Sequence, residues 1–222
     1  MCNVAVLEFF IEDVRNEEIK NKRVLEVGSK YVNGSVRPFI ERLSPREYIG
    51  VDIEAGRCVD VILPAEKLVE RFGLESFDVV ISTELLEHVK DWRLVINNVK
   101  NVLRCGGYAY ITTRSFGFPF HSYPFDYWRY EIEDMKKIFS DFDIVALKRD
   151  HMGPGVFLKA IKPLNYKPCN LEEIDLYSMI LGKKTRSIPE VNEMSVSRKF
   201  KLLVRKALDS VTSKMRNVLA TR

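Results

Sequence analysis

Cysteine is scarce in this chain, with four residues in 222. Cys2, Cys58, Cys105 and Cys169 are scattered and form no CxxC pair, so neither a disulfide framework nor a zinc site is expected. No run approaches the ~20 apolar residues of a membrane span. The amino-terminal region carries acidic residues where a signal peptide would be basic. We therefore predict a cytoplasmic protein with reduced thiols and no metal site.

The formal net charge is only +4, but it is unevenly distributed. Residues 183–222 contain 11 Lys and Arg against three acidic residues, a balance of +8, so residues 1–182 carry −4. A mildly acidic body does not favour nucleic-acid binding. In Ser197–Arg222, apolar residues recur at helical spacing between basic ones, which predicts a basic amphipathic helix. It is expected to dock on the domain, to form a homodimer, or to lie on an anionic membrane surface.

Short apolar runs alternate with helical patterns over most of the chain. The predicted strands are Arg23–Val27, Tyr48–Val51, Val59–Leu63, Phe77–Ser82, Tyr108–Thr113, Asp143–Leu147 and Val156–Ile161. The predicted helices are Asn3–Glu18, Ser35–Arg42, Lys67–Phe72 and Trp92–Leu103. Such alternation predicts an α/β fold, with a parallel sheet covered by helices on both faces.

The ends of the first two predicted strands carry residues suited to binding a nucleoside. The first strand stops at Gly28, where the absence of a side chain permits a sharp turn and leaves room for a ligand. The second ends at Asp52, whose carboxylate can accept two hydrogen bonds from a ribose diol. Each such bond is worth roughly 1.5 to 3 kcal/mol, because the acceptor is charged. The pattern predicts an adenosine-containing cofactor.

Four blocks of sequence carry a family resemblance: VLEVGS, YIGVDI, ESFDVVISTELLEHVKDW and VLRCGGYAYITT. In this order and spacing they resemble the class I S-adenosylmethionine-dependent methyltransferases, in particular the small-molecule, type 11-like enzymes with an LEH motif. The resemblance covers about Lys22 to Lys162. It implies a Rossmann-like, doubly wound, mostly parallel seven-stranded sheet with an antiparallel last strand. We predict a methyltransferase domain at 1–163 and a C-terminal helical extension at 164–222.

The resemblance also implies where S-adenosylmethionine would bind. Glu26 is expected near its amino acid moiety, Asp52 at the ribose and Ile53 beside the adenine. The other expected cofactor residues are Gly28, Ser29, Gly34, Ala65, Thr83 and Glu84. The chain departs from the family pattern in two places: the loop after Gly28 is longer and has fewer glycines, and Pro64 stands where the family commonly has an acidic residue before Ala65.

The segment Phe116–Tyr130 is unusually aromatic, with eight aromatic residues in 15. It follows the fifth predicted strand, so it should project from the same sheet edge as the cofactor loops. It is expected to be a substrate lid, since aromatic faces bind flat or cationic groups, or a packing flap with Asp126 paired to Arg129. His121 and Asp126 are candidate catalytic bases. His88, in the LEH motif, is a further candidate base or a structural hydrogen-bonding residue.

The predicted function is methyl transfer to a small-molecule, glycan or lipid-precursor acceptor, at oxygen. The signatures that the family's DNA-directed members use around a flipped base are absent after the fourth strand and around Cys105. One alternative is a non-catalytic S-adenosylmethionine-binding partner subunit, suggested by the glycine-poor loop and Pro64. Another is a nicotinamide dehydrogenase, which is disfavoured because Gly28 is not followed by GxxG at the required spacing.

Overall fold

The structure, a computed structural model, describes residues 3–121 and 125–196. Its strands are β1 (Arg23–Val27), β2 (Glu47–Asp52), β3 (Val61–Ile62), β4 (Phe77–Thr83), β5 (Leu103–Arg114), β6 (Trp128–Arg129), β7 (Asp143–Arg149), β8 (Gly155–Ile161), β9 (Leu176–Ser178) and β10 (Lys184–Thr185). Its helices are α1 (Val4–Asp13), α2 (Asn16–Ile19), α3 (Arg37–Arg42), α4 (Leu68–Phe72), α5 (Trp92–Val102) and α6 (Ile132–Ile138).

The main sheet has seven strands in the order β3-β2-β1-β4-β5-β8-β7. Strands β1 to β5 pair in parallel, whereas β8 runs antiparallel to both of its neighbours, β5 and β7. The predicted Rossmann-like, mostly parallel sheet with an antiparallel last strand is therefore confirmed. Because parallel strands end at a common edge, this order gathers the carboxyl ends of β1, β2, β4 and β5.

Two hydrophobic clusters hold the helices against opposite faces of this sheet. Leu25 and Val80 belong to the cluster that includes α5, and their chain neighbours Val24 and Val79 belong to the cluster that includes α1 and α3. Successive residues of a strand point to opposite faces, so each central strand contributes to both cores. This explains why these strands read as continuous apolar runs and not as alternating ones.

The predicted helix Asn3–Glu18 is in fact two helices, α1 and α2. The break occurs because the Glu18 carboxylate accepts the backbone N–H of Arg15 at 2.8 Å, which is the reciprocal contact that starts a new helix. The other oxygen of Glu18 pairs with Lys159 Nζ of β8 at 2.6 Å. A buried ion pair thus fixes where the second helix begins.

The bounds of two strands differ most from prediction. β3 contains only two residues, and β5 begins at Leu103 instead of Tyr108. The segment before Tyr108 lies outside the predicted strand. In the structure it pairs with Lys162, whose carbonyl accepts the Gly106 N–H at 2.7 Å and whose N–H donates to the Gly107 carbonyl at 3.0 Å.

The chain beyond residue 163 supplies two strands of a second sheet that the sequence did not predict, with the order β10-β9-β6. This part of the chain also contributes five side chains to the larger core: Leu171, Ile174, Leu176, Ile180 and Met194. Residues 164–196 therefore pack against the core of the seven-stranded sheet. The domain division at residue 163 stays a prediction. The predicted helix Ser197–Arg222 lies outside the described residues. In the part of the chain that the structure describes, no helix is long and apolar enough to cross a membrane.

Candidate active site

The carboxyl ends of the central strands bring the predicted cofactor residues to one edge of the sheet. Val27, the last residue of β1, lies opposite Val51 of β2 and Ser82 of β4, and Thr83 lies opposite Thr112 of β5. Ligands of open α/β sheets bind outside this edge. Residues far apart in sequence are thereby placed around a single candidate site.

Asp52 lies half-buried at the end of β2. Its carboxylate accepts the backbone N–H of Lys30 at 3.1 Å and that of Glu54 at 3.1 Å. An ionised carboxylate offers about four acceptor positions, so a further pair of hydrogen bonds, such as those from a ribose diol, can still be made. Ile53, the next residue, is 67% exposed and offers an apolar surface beside the carboxylate.

The loop after β1 folds back onto β2. Gly28 adopts φ +80°, a conformation that favours glycine, and an added Cβ would come within 3.1 Å of Leu85. The N–H groups of Gly28 and Ser29 both donate to the Val51 carbonyl, at 2.9 and 3.0 Å. The Ser29 hydroxyl is buried, and no described residue hydrogen-bonds to it. Gly34 lies farther along the loop, half-buried, with φ +147°.

Asp52 has unfilled acceptor positions at this edge, and these suit the hydroxyl groups of a nucleoside. The buried Ser29 hydroxyl is instead packed against Gly50 of β2, since a Cβ added to Gly50 would lie 2.7 Å from its oxygen. Ala65 is buried in a short 3-10 turn after β3, and Pro64 before it has no side-chain donor or acceptor. The arrangement therefore fits S-adenosylmethionine at its ribose end.

Glu26 lies within β1 and points along the sheet to Tyr48, whose hydroxyl donates to its Oε2 at 2.7 Å. Burial raises the pKa of Glu26 to about 7, and the Tyr48 hydrogen bond only partly opposes this rise. The carboxyl is thus poised between its neutral and charged forms near neutral pH. That property suits a group near the cofactor's charged amino acid moiety, and this role stays a prediction.

We expect Glu26→Gln to make the free energy of unfolding less dependent on pH. The folded pKa of Glu26 is raised above its unfolded value, so its stabilising effect is present at low pH and is lost as pH rises from about 4.5 to 7. From the low end of that window to the high end, the free energy of unfolding of the variant should rise relative to that of the wild type by about 3 kcal/mol. Urea unfolding from pH 4.5 to 8 measures the difference. Parallel curves for the two proteins would contradict the raised pKa.

Thr83 and Glu84 are buried at the end of β4. Glu84 adopts φ +53°, a strained conformation for a residue other than glycine, and its N–H donates to the Thr112 carbonyl at 2.9 Å. Its carboxylate forms an ion pair with Arg114. Burial and the nearby Glu87 carboxylate raise the pKa of Glu84 to about 8, although Arg114 opposes the rise.

The LEH motif forms a short 3-10 turn, Leu86–His88, that lies against the aromatic segment. The Tyr127 N–H donates to the Glu87 carbonyl at 2.8 Å. The imidazole Nδ1 of His88 lies 2.6 Å from the carbonyl oxygen of Phe125. These contacts fix the aromatic segment beside the strand ends that form the candidate cofactor site.

Asp126 is fully buried and pairs with Arg129 through two hydrogen bonds, of 2.5 and 2.8 Å. One of its oxygens also lies 3.2 Å from Nδ1 of His121 and accepts the His121 backbone N–H at 2.8 Å. Burial alone would raise the pKa of Asp126, but the hydrogen bonds from Arg129 and His121 hold it below its ordinary value.

The Asp126–Arg129 pair expected of a packing flap is therefore present. An ionised carboxylate with all these contacts is better suited to orienting His121 than to accepting a proton. The side chain of Arg129 is likewise 0% exposed. The catalytic roles of His88, His121 and Asp126 stay predictions.

Sequence reasoning missed two residues of this edge, Glu87 and Arg114. Glu87 was noted only as part of the LEH motif, but its side chain is 0% exposed, and its Oε2 accepts the Thr113 hydroxyl at 3.0 Å. Arg114 ends β5 and bridges Glu84 to Asp150, the latter at 3.1 Å. Its position directly after a predicted strand was the signal that could have identified it.

The seven-stranded order with an antiparallel last strand is the fold of the class I S-adenosylmethionine-dependent methyltransferases, and the family comparison identifies the chain as one of them. A family model described as a methyltransferase domain matches residues 6–150, more than half of the chain. The chain belongs to this methyltransferase-domain family. Family membership favours an enzyme over both alternatives, the partner subunit and the dehydrogenase.

Solved structures share the fold at low sequence identity. The S-adenosylmethionine-dependent methyltransferase from Mesorhizobium loti is 15% identical, covering 72% of this chain and 98% of that one, with a TM-score of 0.51. The 1,6-didemethyltoxoflavin-N1-methyltransferase from Burkholderia thailandensis is 15% identical, with 65% of this chain and 72% of that chain covered and a TM-score of 0.55. The [4+2]-cyclase SpnF is 14% identical, with 72% of this chain and 81% of that chain covered and a TM-score of 0.56. No curated protein is significantly similar in sequence.

Proposed function

We propose that this enzyme methylates an oxygen atom of a small-molecule, glycan or lipid-precursor acceptor at the carboxyl edge of its sheet. S-adenosylmethionine, when bound, supplies a methyl group activated by its sulfonium centre. Such a reaction depends mainly on holding the acceptor in line with that methyl group. An alcohol acceptor additionally needs a base or a polarising group for its hydroxyl proton.

We infer that the cofactor is held by the strand-end residues described above. Asp52 is the ribose acceptor, Ile53 and Ala65 border the adenine, and Thr83 and Glu84 border the methionine part. The loop residues Gly28, Ser29 and Gly34 flank the cofactor, and Glu26 lies in β1, near the cofactor's amino acid moiety. The half-buried carboxylate of Asp52, which has acceptor positions still unfilled, supports the ribose part of this assignment.

The oriented histidine His121 is the observation that carries the choice of oxygen. The Asp126 carboxylate lies 3.2 Å from Nδ1 of His121 and orients the ring. The acidic residue of a catalytic triad orients its histidine base in the same way. The ring of His121 contacts that of His88, with centroids 4.6 Å apart, and that of Phe118 at 5.1 Å. An imidazole held in this way, within an aromatic wall, can accept a hydroxyl proton while flat or apolar parts of the acceptor pack on the rings.

We expect His121→Ala and Asp126→Asn to lower turnover while leaving the affinity for S-adenosylmethionine unchanged, because general-base catalysis contributes about 10²- to 10⁴-fold. Transfer of labelled methyl groups to a pool of metabolites, glycans and extracted lipids measures turnover, and calorimetry measures cofactor affinity. His151→Ala is the matched control, since that histidine is exposed and pairs with Glu8. If both variants melt earlier but retain specific activity, the segment is packing material and the base lies elsewhere.

The partner and the location of the enzyme follow from the same proposal. A glycan or lipid-precursor acceptor would bring the chain to a membrane surface, and the basic helix predicted at Ser197–Arg222 would suit an anionic one. A homodimer through that helix is the alternative. Cytoplasmic location, peripheral membrane contact and dimerisation all stay predictions.

A further inference from the structure

We propose that Glu87, His88 and His121 form a binding site for a divalent transition-metal ion. One ligand atom from each side chain lies within 4.8 Å of the other two. The three residues come from different segments, the LEH turn and the aromatic segment, that the fold brings together. Three functional groups of metal-ligating type thus meet beside the candidate cofactor site.

Glu87 is a buried carboxylate with few groups near it that could balance a negative charge. Its side chain is fully buried, and Oε1 has no hydrogen-bond partner among the described residues. Oε2 receives only the neutral hydroxyl of Thr113. The nearest cationic candidate is His88, whose Nε2 is 3.9 Å from Oε1, too far for a hydrogen bond. A buried carboxylate without a compensating charge is costly, and a bound cation would provide that charge.

The two imidazoles are oriented by hydrogen-bond acceptors next to their Nδ1 atoms. Nδ1 of His88 faces the Phe125 carbonyl, and Nδ1 of His121 faces the Asp126 carboxylate. Both partners only accept hydrogen bonds, so each Nδ1 carries a proton, and in the neutral imidazole Nε2 then keeps its lone pair. Nε2 of His88 is buried, and no described residue hydrogen-bonds to it. Metal-bound histidines are held in this way, by a carbonyl or carboxylate behind the ring.

The chemistry of the ligands indicates the class of ion. Two imidazoles and one carboxylate suit Zn²⁺, Mn²⁺, Fe²⁺ or Co²⁺ better than Mg²⁺, which prefers oxygen ligands. Metal–ligand bonds of about 2.1 Å place the ligand atoms of a tetrahedral site about 3.4 Å apart. Because the present atoms lie within 4.8 Å of one another, binding would draw them together by up to roughly 1.4 Å. Three protein ligands leave coordination positions open, as in catalytic sites.

This inference rests on the proposed function as regards the acceptor, and it changes the role of His121, because a ring whose Nε2 binds the ion cannot also accept the hydroxyl proton. An acceptor hydroxyl that occupies an open position on the ion would have a lowered pKa and would release its proton to water more readily. Asp126 would then be a positioning residue, held in its charged form by Arg129 and holding His121 in turn. The acceptor class is an alcohol or phenol with a second oxygen close enough to complete the coordination.

The test uses the full-length protein, treated with EDTA and then freed of chelator. ZnCl₂ is titrated by calorimetry in the absence of cofactor and acceptor, and CoCl₂ is titrated in parallel to follow the visible absorption of bound Co²⁺. We expect one ion per chain, a Zn²⁺-dependent rise in melting temperature, and much weaker binding of Mg²⁺.

Glu87→Gln is the most informative variant because it removes the charge but keeps the shape. It should fold at least as well as the metal-free wild type and bind Zn²⁺ at least tenfold more weakly. His121→Ala should show the same loss, and Asp126→Asn should cost about 10- to 100-fold in affinity. His151→Ala, which removes the chain's remaining histidine, should bind like the wild type.

A wild-type protein that binds no stoichiometric ion would overturn the site, as would Glu87→Gln and His121→Ala variants that bind like the wild type. Loss of binding in His151→Ala would instead identify a surface histidine as the ligand, which also contradicts the proposal. Metal binding is measured in the absence of S-adenosylmethionine and acceptor. It can therefore fail while His121-dependent methyl transfer persists in EDTA, or succeed while no acceptor oxygen is methylated.

Discussion

Asp52→Ala is expected to weaken S-adenosylmethionine binding by about 2 to 4 kcal/mol, since two charge-assisted hydrogen bonds to the ribose would be lost. The carboxylate lies at the carboxyl end of β2, and only two of its acceptor positions are filled, by the N–H groups of Lys30 and Glu54. Asp52→Asn keeps one acceptor oxygen and should show an intermediate loss. Calorimetric titration with S-adenosylmethionine measures the three affinities.

The structure adds a condition to this experiment, because Asp52 also anchors the loop at Lys30. Circular dichroism and a melting curve should show that the variant remains folded. Glu54→Ala is the matched control. It removes the exposed ion pair between Lys30 and Glu54 but leaves the Asp52 carboxylate in place, so affinity should stay within about threefold. An Asp52→Ala protein whose affinity stays within the same limit would refute the ribose assignment.

Arg129→Met is expected to destabilise the fold by about 3 to 5 kcal/mol, because it leaves the Asp126 carboxylate buried without its cation. Both side chains of this pair are 0% exposed. Arg129 also donates to the carbonyls of Phe118 and Pro119, at 3.3 and 3.0 Å, so the aromatic segment should loosen with it. Urea unfolding at pH 7 measures the loss.

The pH dependence gives an independent check of this pair. The folded pKa of Asp126 is lowered, so the stability it contributes is present above its unfolded pKa of about 3.9 and is lost as pH falls through the folded value. The difference in the free energy of unfolding between the wild type and Arg129→Met should therefore become smaller in strong acid.

Two further variants test whether the effect belongs to the buried pair. Arg186→Met breaks the exposed pair with Asp175 in the same region and should cost only about 0 to 1 kcal/mol. The double variant Arg129→Met with Asp126→Leu should recover part of the loss, because no buried charge remains. Equal costs for Arg129→Met and Arg186→Met would show that the buried pair does not hold the segment.

Much of the fold could be read from local pattern. Apolar runs such as Phe77–Ser82 and the helical spacing of Trp92–Leu103 are set by short stretches of chain, and both elements occur within one residue of their predicted ends. The sequence also indicated the position of Asp52, because a residue that ends a parallel strand must lie at the ligand edge of the sheet. The four blocks of sequence that resemble the methyltransferase family then implied the arrangement of the strands around Asp52.

The tertiary structure decided the features that depend on contacts between distant segments. The second sheet joins Trp128 to Ser178, and strands of two or three residues are too short to show a period. Nothing in the sequence indicated that Glu87 would be fully buried with only His88, among the described residues, as a possible cation within 4.0 Å. Nor did it indicate that His88 and His121, 33 positions apart, would bring their rings together. Periodicity specifies which face of an element is apolar, whereas burial, ion pairing and pKa depend on what the completed fold packs against each side chain.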